Sequence, residues 1–472
     1  MKKLLIIISI FTIQFSILNA QETWVQTYQP FYNPAGDNDY YVEDIRLCPD
    51  GGYAVNGFYS YFDDWEEYSW GYLMKTDSEG NFLWAKKDSL TFYNNPEPTA
   101  FIVLNDGSFI TAGWNFAIGG GHYLLKRDSE GEKEWEIDLG NDYSIEAMEL
   151  TENGNLITTG SSMDNTINLQ KFDLNGNLIW RETYLPDGFE YGAGYSVTQT
   201  TDGGYAITGY VHGLNNNDII VIKTNEIGDS LWTWTYDGTQ NYRDVGNCII
   251  ENSFNEILIG GYINEVNNRD YYGFLVNFNA LGDTLWTRKF DTDNETSSIY
   301  SLLQYNENNY ILRSTKIIII DENQDIIWDS VDDWGINIGN ASGDRSIQQL
   351  QDNQFICCGE KNINGSSIIV SKTDSTGNVV STKDYDILPT TYSGIICFPN
   401  PFNPSINLDV RVDEMNNHKI EIFNIKGQMI DNFPVNNKNI IWNASTYSSG
   451  LYFVNLIKNG KIIQTKKITL IK

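Results

Sequence analysis

A tryptophan returns along this chain at near-regular steps, and that periodicity restricts the fold more than any other feature. Trp84, Trp135, Trp180, Trp232, Trp286 and Trp328 are separated by 51, 45, 52, 54 and 42 residues, with Trp24 standing ahead of them. The text around each is shared. Lys75-Thr-Asp-Ser-Glu-Gly-Asn-Phe-Leu-Trp84 aligns with Lys126-Arg-Asp-Ser-Glu-Gly-Glu-Lys-Glu-Trp135, with Lys171-Phe-Asp-Leu-Asn-Gly-Asn-Leu-Ile-Trp180 and with Lys223-Thr-Asn-Glu-Ile-Gly-Asp-Ser-Leu-Trp232. One further step reaches Val380, where Val takes the Trp place. A second element precedes each of these: Asp50-Gly-Gly-Tyr-Ala-Val-Asn-Gly57, Asp106–Gly113, Asn153–Gly160 and Asp202–Gly209, with weaker copies at Asn255–Gly260, Asn308–Arg313 and Asn353–Gly359. Units of this period cannot bury an apolar face alone and must stack on one another.

Each unit reads as four short strands, a to d. Strand a is the apolar run before Asp-Gly, as in Tyr195-Ser-Val-Thr-Gln-Thr200, and strand b follows that turn. Strand c is typified by Asp218–Thr224, and strand d carries the Trp. Asp-Gly and Asp-x-x-Gly supply the positive φ of tight hairpins, so a–b and c–d are antiparallel neighbours. Val, Ile, Tyr and Trp fill the strand positions, as β-structure favours. The expectation is an all-β chain whose body is a seven-bladed β-propeller, with eight blades or an open β-solenoid as alternatives. The sixth unit is short, since Ile311–Ile320 passes almost directly from b to c. Trp24 lies in an isolated strand d that can complete the last blade and leave no open edge, in competition with the Val380 strand.

The Asp-x-x-Gly-x-x-x-Trp hairpin is similar to the tryptophan-docking motif of quinoprotein-like propellers, with one residue fewer between Asp and Gly. It is more distantly similar to the Asp-box hairpin of sialidase-type propellers, with a longer Asp-to-Trp spacing. The whole pattern resembles repeats common in secreted proteins of Bacteroidetes-like bacteria. In the two named families the hairpins are structural, so the resemblance implies a fold and no catalysis.

Residues 1–20 read as a secretory signal peptide: Lys2 and Lys3, an apolar run from Leu4 to Leu18, then Asn19-Ala20. The run is too short and too interrupted for a spanning helix. No Cys follows it, so no lipoprotein-type anchor is expected. The chain carries 31 Lys and Arg against 62 Asp and Glu, a net charge of −31. Such a surface repels nucleic acid. The five Cys are scattered and mostly lie in apolar runs, as small core residues rather than a disulfide framework. The three His are far apart, and neither H-E-x-x-H nor Cys-x-x-Cys occurs, so no metal and no cofactor are expected.

The composition changes near Cys397. Residues 397–472 hold nine Lys and Arg against five Asp and Glu. The Trp repeat stops, and alternating strands with short turns read as a small Ig-like β-sandwich. The stretch opens with Phe398-Pro-Asn-Pro-Phe-Asn-Pro404 and continues through Phe423-Asn-Ile-Lys-Gly427, Trp442, Ser449-Gly-Leu-Tyr-Phe453 and a Lys-rich last strand. In that order these resemble the type A C-terminal sorting domain of the type IX secretion system. Pro399, Asn400, Pro401, Gly427, Gly450, Tyr452 and Lys467 are the residues that carry the motif. The resemblance implies delivery to the cell surface or medium, with the secretion machinery as partner. The expected organisation is a signal peptide (1–20), a propeller (21–388), a linker (389–396) and the sorting domain (397–472), in a monomer.

Function should sit where the loops vary. The a–b and c–d turns are tight and repeated, so the longer b–c and d–a connections share the opposite face. That face is aromatic and acidic. In the first unit, Tyr59–Trp70 reads as a loop offering Tyr61, Phe62, Asp63, Asp64, Trp65, Tyr68 and Trp70. Elsewhere stand Trp114, Phe116, Tyr191, Tyr242 and Tyr271. Aromatic faces stack on sugar rings or pack in protein interfaces, and carboxylates and amides direct hydrogen bonds. The paired carboxylates Asp63-Asp64, Glu66-Glu67 and Asp291–Glu295 are candidates for glycoside hydrolysis by composition alone. No Gly-x-Ser-x-Gly triad and no phosphate loop occurs. The reading is a non-catalytic platform for an extracellular glycan or protein. The alternative is a secreted polysaccharide-active hydrolase or lyase.

Overall fold

The computed structural model describes residues 23–31, 38–63, 66–88, 90, 96–115, 120–213, 216–236, 238, 243–264, 271–290, 298–314, 317–329, 346–350, 354–362, 366–373, 394–398, 403–411, 418–437, 439–458 and 460–471. These residues contain strands and no helix. They fall into two compact units, residues 1–383 and 384–472.

The first unit holds seven four-stranded antiparallel sheets among the described residues. Strand β1 (Trp24–Tyr28) stands alone at the start. The first sheet is β2 (Asn38–Leu47), β3 (Tyr53–Asp63), β4 (Glu66–Thr76) and β5 (Phe82–Lys87). The second is β6 (Pro96–Val103), β7 (Phe109–Asn115), β8 (His122–Arg127) and β9 (Lys133–Gly140). The third is β10 (Ala147–Leu150), β11 (Leu156–Ser161), β12 (Ile167–Phe172) and β13 (Leu178–Tyr184). The fourth is β14 (Tyr191–Gln199), β15 (Tyr205–His212), β16 (Asn217–Thr224) and β17 (Ser230–Tyr236). The fifth is β18 (Val245–Glu251), β19 (Ile257–Asn264), β20 (Tyr271–Phe278) and β21 (Thr284–Lys289). The sixth is β22 (Ser301–Gln304), β23 (Tyr310–Arg313), β24 (Ile317–Ile320) and β25 (Ile326–Asp329). The seventh is β26 (Ile347–Gln349), β27 (Phe355–Asn362) and β28 (Ser366–Thr373), completed by β1 on the outer edge of β28.

Each sheet packs on the next, and β2 of the first sheet packs on β27 and β28 of the seventh. That cycle is a β-propeller. Strand b and strand c residues such as Ile207, Ile220 and Leu312 are fully buried between sheets. Strand d is outermost, and its residues alternate between exposed and half-buried, as in β21.

The c–d turn explains the recurring Asp-x-x-Gly-x-x-x-Trp. Asp77 Oδ1 accepts the N–H groups of Glu79 and Asn81 at 2.9 and 2.8 Å, which pins the turn. Asp128, Asp173, Asn225, Asn279 and Asp321 repeat this pattern. Gly80 then takes φ +76°, and a Cβ there would stand 2.7 Å from the ring of Trp24. The Trp of one sheet therefore lies on the turn glycine of the next. Trp84 lies on Gly131, Trp180 on Gly228 and Trp232 on Gly282. The same indoles meet a strand b aromatic of that next sheet, as in Trp24–Tyr53 at 5.9 Å and Trp84–Phe109 at 5.8 Å.

The register confirms the part played by β1. Trp24 sits opposite Lys372, as Trp84 sits opposite Lys75 and Trp232 opposite Lys223. A strand from the start of the chain thus supplies strand d to the last sheet and docks on the first. The Val380 segment lies outside the described residues.

The repeated Asp-Gly-Gly has its own task. Asp50 pairs with Lys75, and Asp202 with Lys223, each at 2.8 Å, and the two lysine side chains are almost fully buried. Burial pushes both carboxyls up, but the lysine hydrogen bond and the glycine N–H each accepts outweigh it and hold them below the usual range. Each pair therefore stabilises the fold fully above the unfolded-state value of about 3.9 and loses that contribution as the pH falls through the lower folded value.

The second unit has a three-stranded and a four-stranded sheet. The first joins β29 (Gly394–Phe398), β30 (Ser405–Arg411) and β33 (Asn439–Asn443). The second has the order β32 (Met429–Pro434), β31 (His418–Asn424), β34 (Gly450–Lys458) and β35 (Lys461–Leu470). Both sheets feed one core, with Ile406 and Leu408 facing Ile420, Ile422 and Val454 around a buried Trp442. The unit is a β-sandwich.

Two outcomes test these assignments. The W24A variant should lose about 3–5 kcal/mol in denaturant unfolding, the range for a truncated buried aromatic. I179A, at an outer position 50% exposed, should change by no more than about 0.5 kcal/mol. In acid titrations, a D50N/D202N variant should lose less stability than the parent between about pH 5 and pH 2, and an unchanged slope would refute the pairing.

Candidate functional site

The strands a meet at the centre of the cycle. One cavity of about 390 Å³ is lined by Leu47, Ser196, Thr198, Ile249, Leu303 and Gln348, which come from the first strands of five different sheets. Its residues belong to the ends of those strands, near the a–b turns. The turns there are tied from sheet to sheet. Gln199 accepts the N–H of Glu152, Glu251 that of Thr201, Gln304 that of Ser253 and Gln348 that of Leu47, all at 2.7 or 2.8 Å.

Above the cavity, strand a carries a β-bulge. The register slips at Glu43, Thr99, Tyr195 and Asn247 in four of the sheets. An extra residue re-aims its side chain and frees backbone groups. Thr99 and Asn247 use theirs to donate to the carbonyls of Ile145 and Ile299 in the following sheet.

Beyond the bulges lies the end formed by the b–c and d–a connections. Here the fourth and fifth sheets gather a polar aromatic cluster. Tyr195 is 5.5 Å from Tyr210, Tyr191 stacks on His212 at 4.4 Å, and Tyr262 meets Tyr271 edge-on at 5.1 Å. All five tyrosines are half-buried. His212 Nδ1 is 2.7 Å from the Asn217 amide oxygen, which fixes the ring. Arg243 is exposed and bridges by its backbone to Asn217. Burial raises Tyr195 and Tyr210 above the usual tyrosine range and takes Tyr262 to about 12, while the Arg243 charge pulls all three down. Burial also pushes the Glu146 carboxyl up against a hydrogen bond from Ser144, and its charge bears on Tyr195 and Tyr210.

Of the residues singled out in the sequence, Tyr191 and Tyr271 belong to this cluster. Trp114 lies half-buried on β7, opposite Glu97 and His122. The Tyr59–Trp70 segment is not a loop. Strands β3 and β4 continue through it, pairing Tyr59 with Trp70, Tyr61 with Tyr68, Phe62 with Glu67 and Asp63 with Glu66. Aromatics alternating along both arms favour strand pairing over an open loop. Tyr59 is buried, and the Lys87 ammonium lies 5.2, 5.2 and 4.2 Å from the rings of Phe31, Tyr59 and Trp70. Trp70 thus has a cation on its face already. Asp64, Trp65, Phe116, Tyr242 and Asp291–Glu295 lie outside the described residues.

Tyr195, Tyr210, Tyr262, Glu146, His212 and Arg243 were not foreseen. A signal for two of them stands in the repeat. The residue after the strand b glycine is Phe58, Trp114, Tyr210 or Tyr262 in four of the units. Among the described residues, no group of three or more His, Cys, Asp and Glu could hold a metal ion.

In the second unit, Asn424 Oδ1 accepts the N–H groups of Lys426 and Gln428, which sets Gly427 at φ +73°. Gly450 opens β34, and Tyr452 is buried beside Trp442 at 5.7 Å. Lys467 is exposed on β35 opposite Phe453. Pro399, Asn400 and Pro401 lie outside the described residues.

Fold and tail together define an exported β-propeller protein with its own sorting domain. Residues 396–472 match the family described as secretion system C-terminal sorting domain. The tail indicates export by type IX secretion, to the cell surface or beyond it, and handling by that machinery. No curated protein sequence matches the chain. Among solved structures it is similar to virginiamycin B lyase from Staphylococcus aureus, at 13% identity, covering 75% of this chain and 99% of that one with a TM-score of 0.47. It is also similar to a protein of unknown function from Bacteroides caccae, at 14% identity, covering 55% and 88% with a TM-score of 0.37. A third is YCF48 bound to D1 peptide, at 10% identity, covering 76% and 100% with a TM-score of 0.45.

Deleting residues 394–472, which removes β29 whole with the rest of the sandwich, should leave the propeller in the periplasm on cell fractionation. Normal delivery of the truncated chain would refute the sorting assignment.

Proposed function

We propose that the propeller is a seven-bladed, non-catalytic binding platform, and that its ligand is a glycan held at the aromatic mouth of the fourth and fifth sheets. The observation that carries this reading is the pair of tyrosine groups at the end where connections vary, Tyr191, Tyr195 and Tyr210 on the fourth sheet and Tyr262 and Tyr271 on the fifth, with Tyr262 near enough to act on Tyr195. Half-buried tyrosines present ring faces for sugar stacking and hydroxyls for directed hydrogen bonds. A protein partner is supported less well. Interface centres use packed apolar anchors, and the exposed large apolar side chains of these two sheets, such as Leu231, Phe254 and Leu281, lie on strand d or at tight turns instead. The signal peptide, with cleavage after Ala20, and the monomeric state belong to the same proposal.

A glycan array on the exported protein, paired with a reducing-sugar assay, tests this. Binding without turnover is expected, and a Y210A/Y262A variant should bind at least about tenfold more weakly, since ring stacking is worth one to a few kcal/mol. Turnover of any polysaccharide would overturn the non-catalytic reading.

A further inference from the structure

Resting on that reading of the mouth, we infer that the saccharide it takes is anionic, and that Arg243 receives its acidic group. Arg243 precedes β18 and stands where the fourth and fifth sheets meet, its backbone bridged to Asn217 of β16. Asp244, its neighbour in the chain, is held by backbone groups, and its charge bears on Tyr262. One carboxylate oxygen accepts the N–H of Asn264 at 2.8 Å and the other that of Gly238 at 3.1 Å. Among the described residues no carboxylate forms an ion pair with Arg243. Arg46 and Arg127, by contrast, are both paired with aspartates.

The surroundings fit a sugar acid better than a free ion. The guanidinium acts on three separate tyrosines, Tyr195, Tyr210 and Tyr262, which belong to two sheets. A planar fork beside such rings can hold a carboxylate or sulfate in two hydrogen bonds while the ring that bears it stacks. His212, held at Nδ1 by Asn217 and stacked on Tyr191, adds a fixed polar edge on the same side. Two acids also bear on these rings, Glu146 on Tyr195 and Tyr210 and Asp244 on Tyr262, and burial pushes the Glu146 carboxyl up, towards its neutral form. The net negative charge of the chain works against anionic ligands at long range, so recognition depends on this local cation and is strongest at moderate salt.

The test uses the full exported chain in affinity electrophoresis and calorimetry with three probes: polygalacturonate, dextran sulfate and neutral galactan. Polygalacturonate or dextran sulfate should bind the parent, and the stronger of the two identifies the acidic group. R243A should weaken that binding at least about tenfold, the usual loss for a charge-assisted hydrogen bond, and leave any galactan binding unchanged. R243K should restore part of it. Thermal melts check that both variants fold. If R243A does not fold, R243K alone, with lower affinity for the anionic probe and unchanged affinity for galactan, gives the same discrimination. Galactan binding with no anionic binding would overturn this inference and leave the glycan reading intact. Anionic binding that is equal in the parent and R243A would overturn the role of Arg243. No binding of any probe would sink the glycan reading together with it.

Discussion

An indole lying on the turn glycine of the next sheet is the interaction that orders most of this unit. In its full form it has three parts: an acceptor side chain to pin the turn, a residue without Cβ at its apex, and an aromatic from the preceding sheet; the sixth sheet keeps Asp321 but places Gln324 at the apex, at φ +64°. Asp77, Gly80 and Trp24 show all three. The ion pairs between sheets are secondary by comparison. Lys86 and Glu132 meet at the surface, where such a pair contributes about 0–1 kcal/mol, whereas truncating one docked aromatic costs several times that. The buried Asp88–Arg127 pair fixes how the first two sheets sit, but its desolvation offsets most of its attraction.

The fold was legible because this interaction writes itself into the sequence at fixed spacing. Asp or Asn, Gly and Trp recur together in the first five units, so the hairpins, the strand order and the closing role of Trp24 could all be read. The mouth was much less so. Its residues come from strand a, the end of strand b, the start of strand c and the connection before strand a, and no spacing ties Tyr210 to Arg243. Tyr191 and Tyr271 were picked out by composition, but so was Trp70, whose face is covered by Lys87. The Tyr59–Trp70 segment misled because a long b–c connection and a long b–c hairpin have the same length in sequence. Only the register of Tyr61 with Tyr68 separates them.

The two ends of the propeller divide the work. At the a–b and c–d turns, side chains are spent on one another: Asp50 on Lys75, Gln304 on the N–H of Ser253, Trp84 on Gly131. Repetition is strict there because each bond serves the stacking of sheets. At the opposite end the constraint lapses after the strand b glycine, and the residue that follows differs from unit to unit. The tyrosine cluster of the fourth and fifth sheets arises from that freedom.

The position of β1 has a consequence for the order of events during biogenesis. Its partner β28 is the last strand of the unit among the described residues, so one strand of the seventh sheet comes from the start of the propeller chain and three from its other end. Until β27 and β28 are in place, the first sheet lacks its neighbour on one side, and Tyr40, Val42 and Val55 lack the core they share with Ile356 and Val370. Contacts between such distant segments form slowly, because the loop between them must be closed before anything is gained. Closure of the ring through β1 and β28 is therefore the most non-local contact of the propeller, and by that measure a late one.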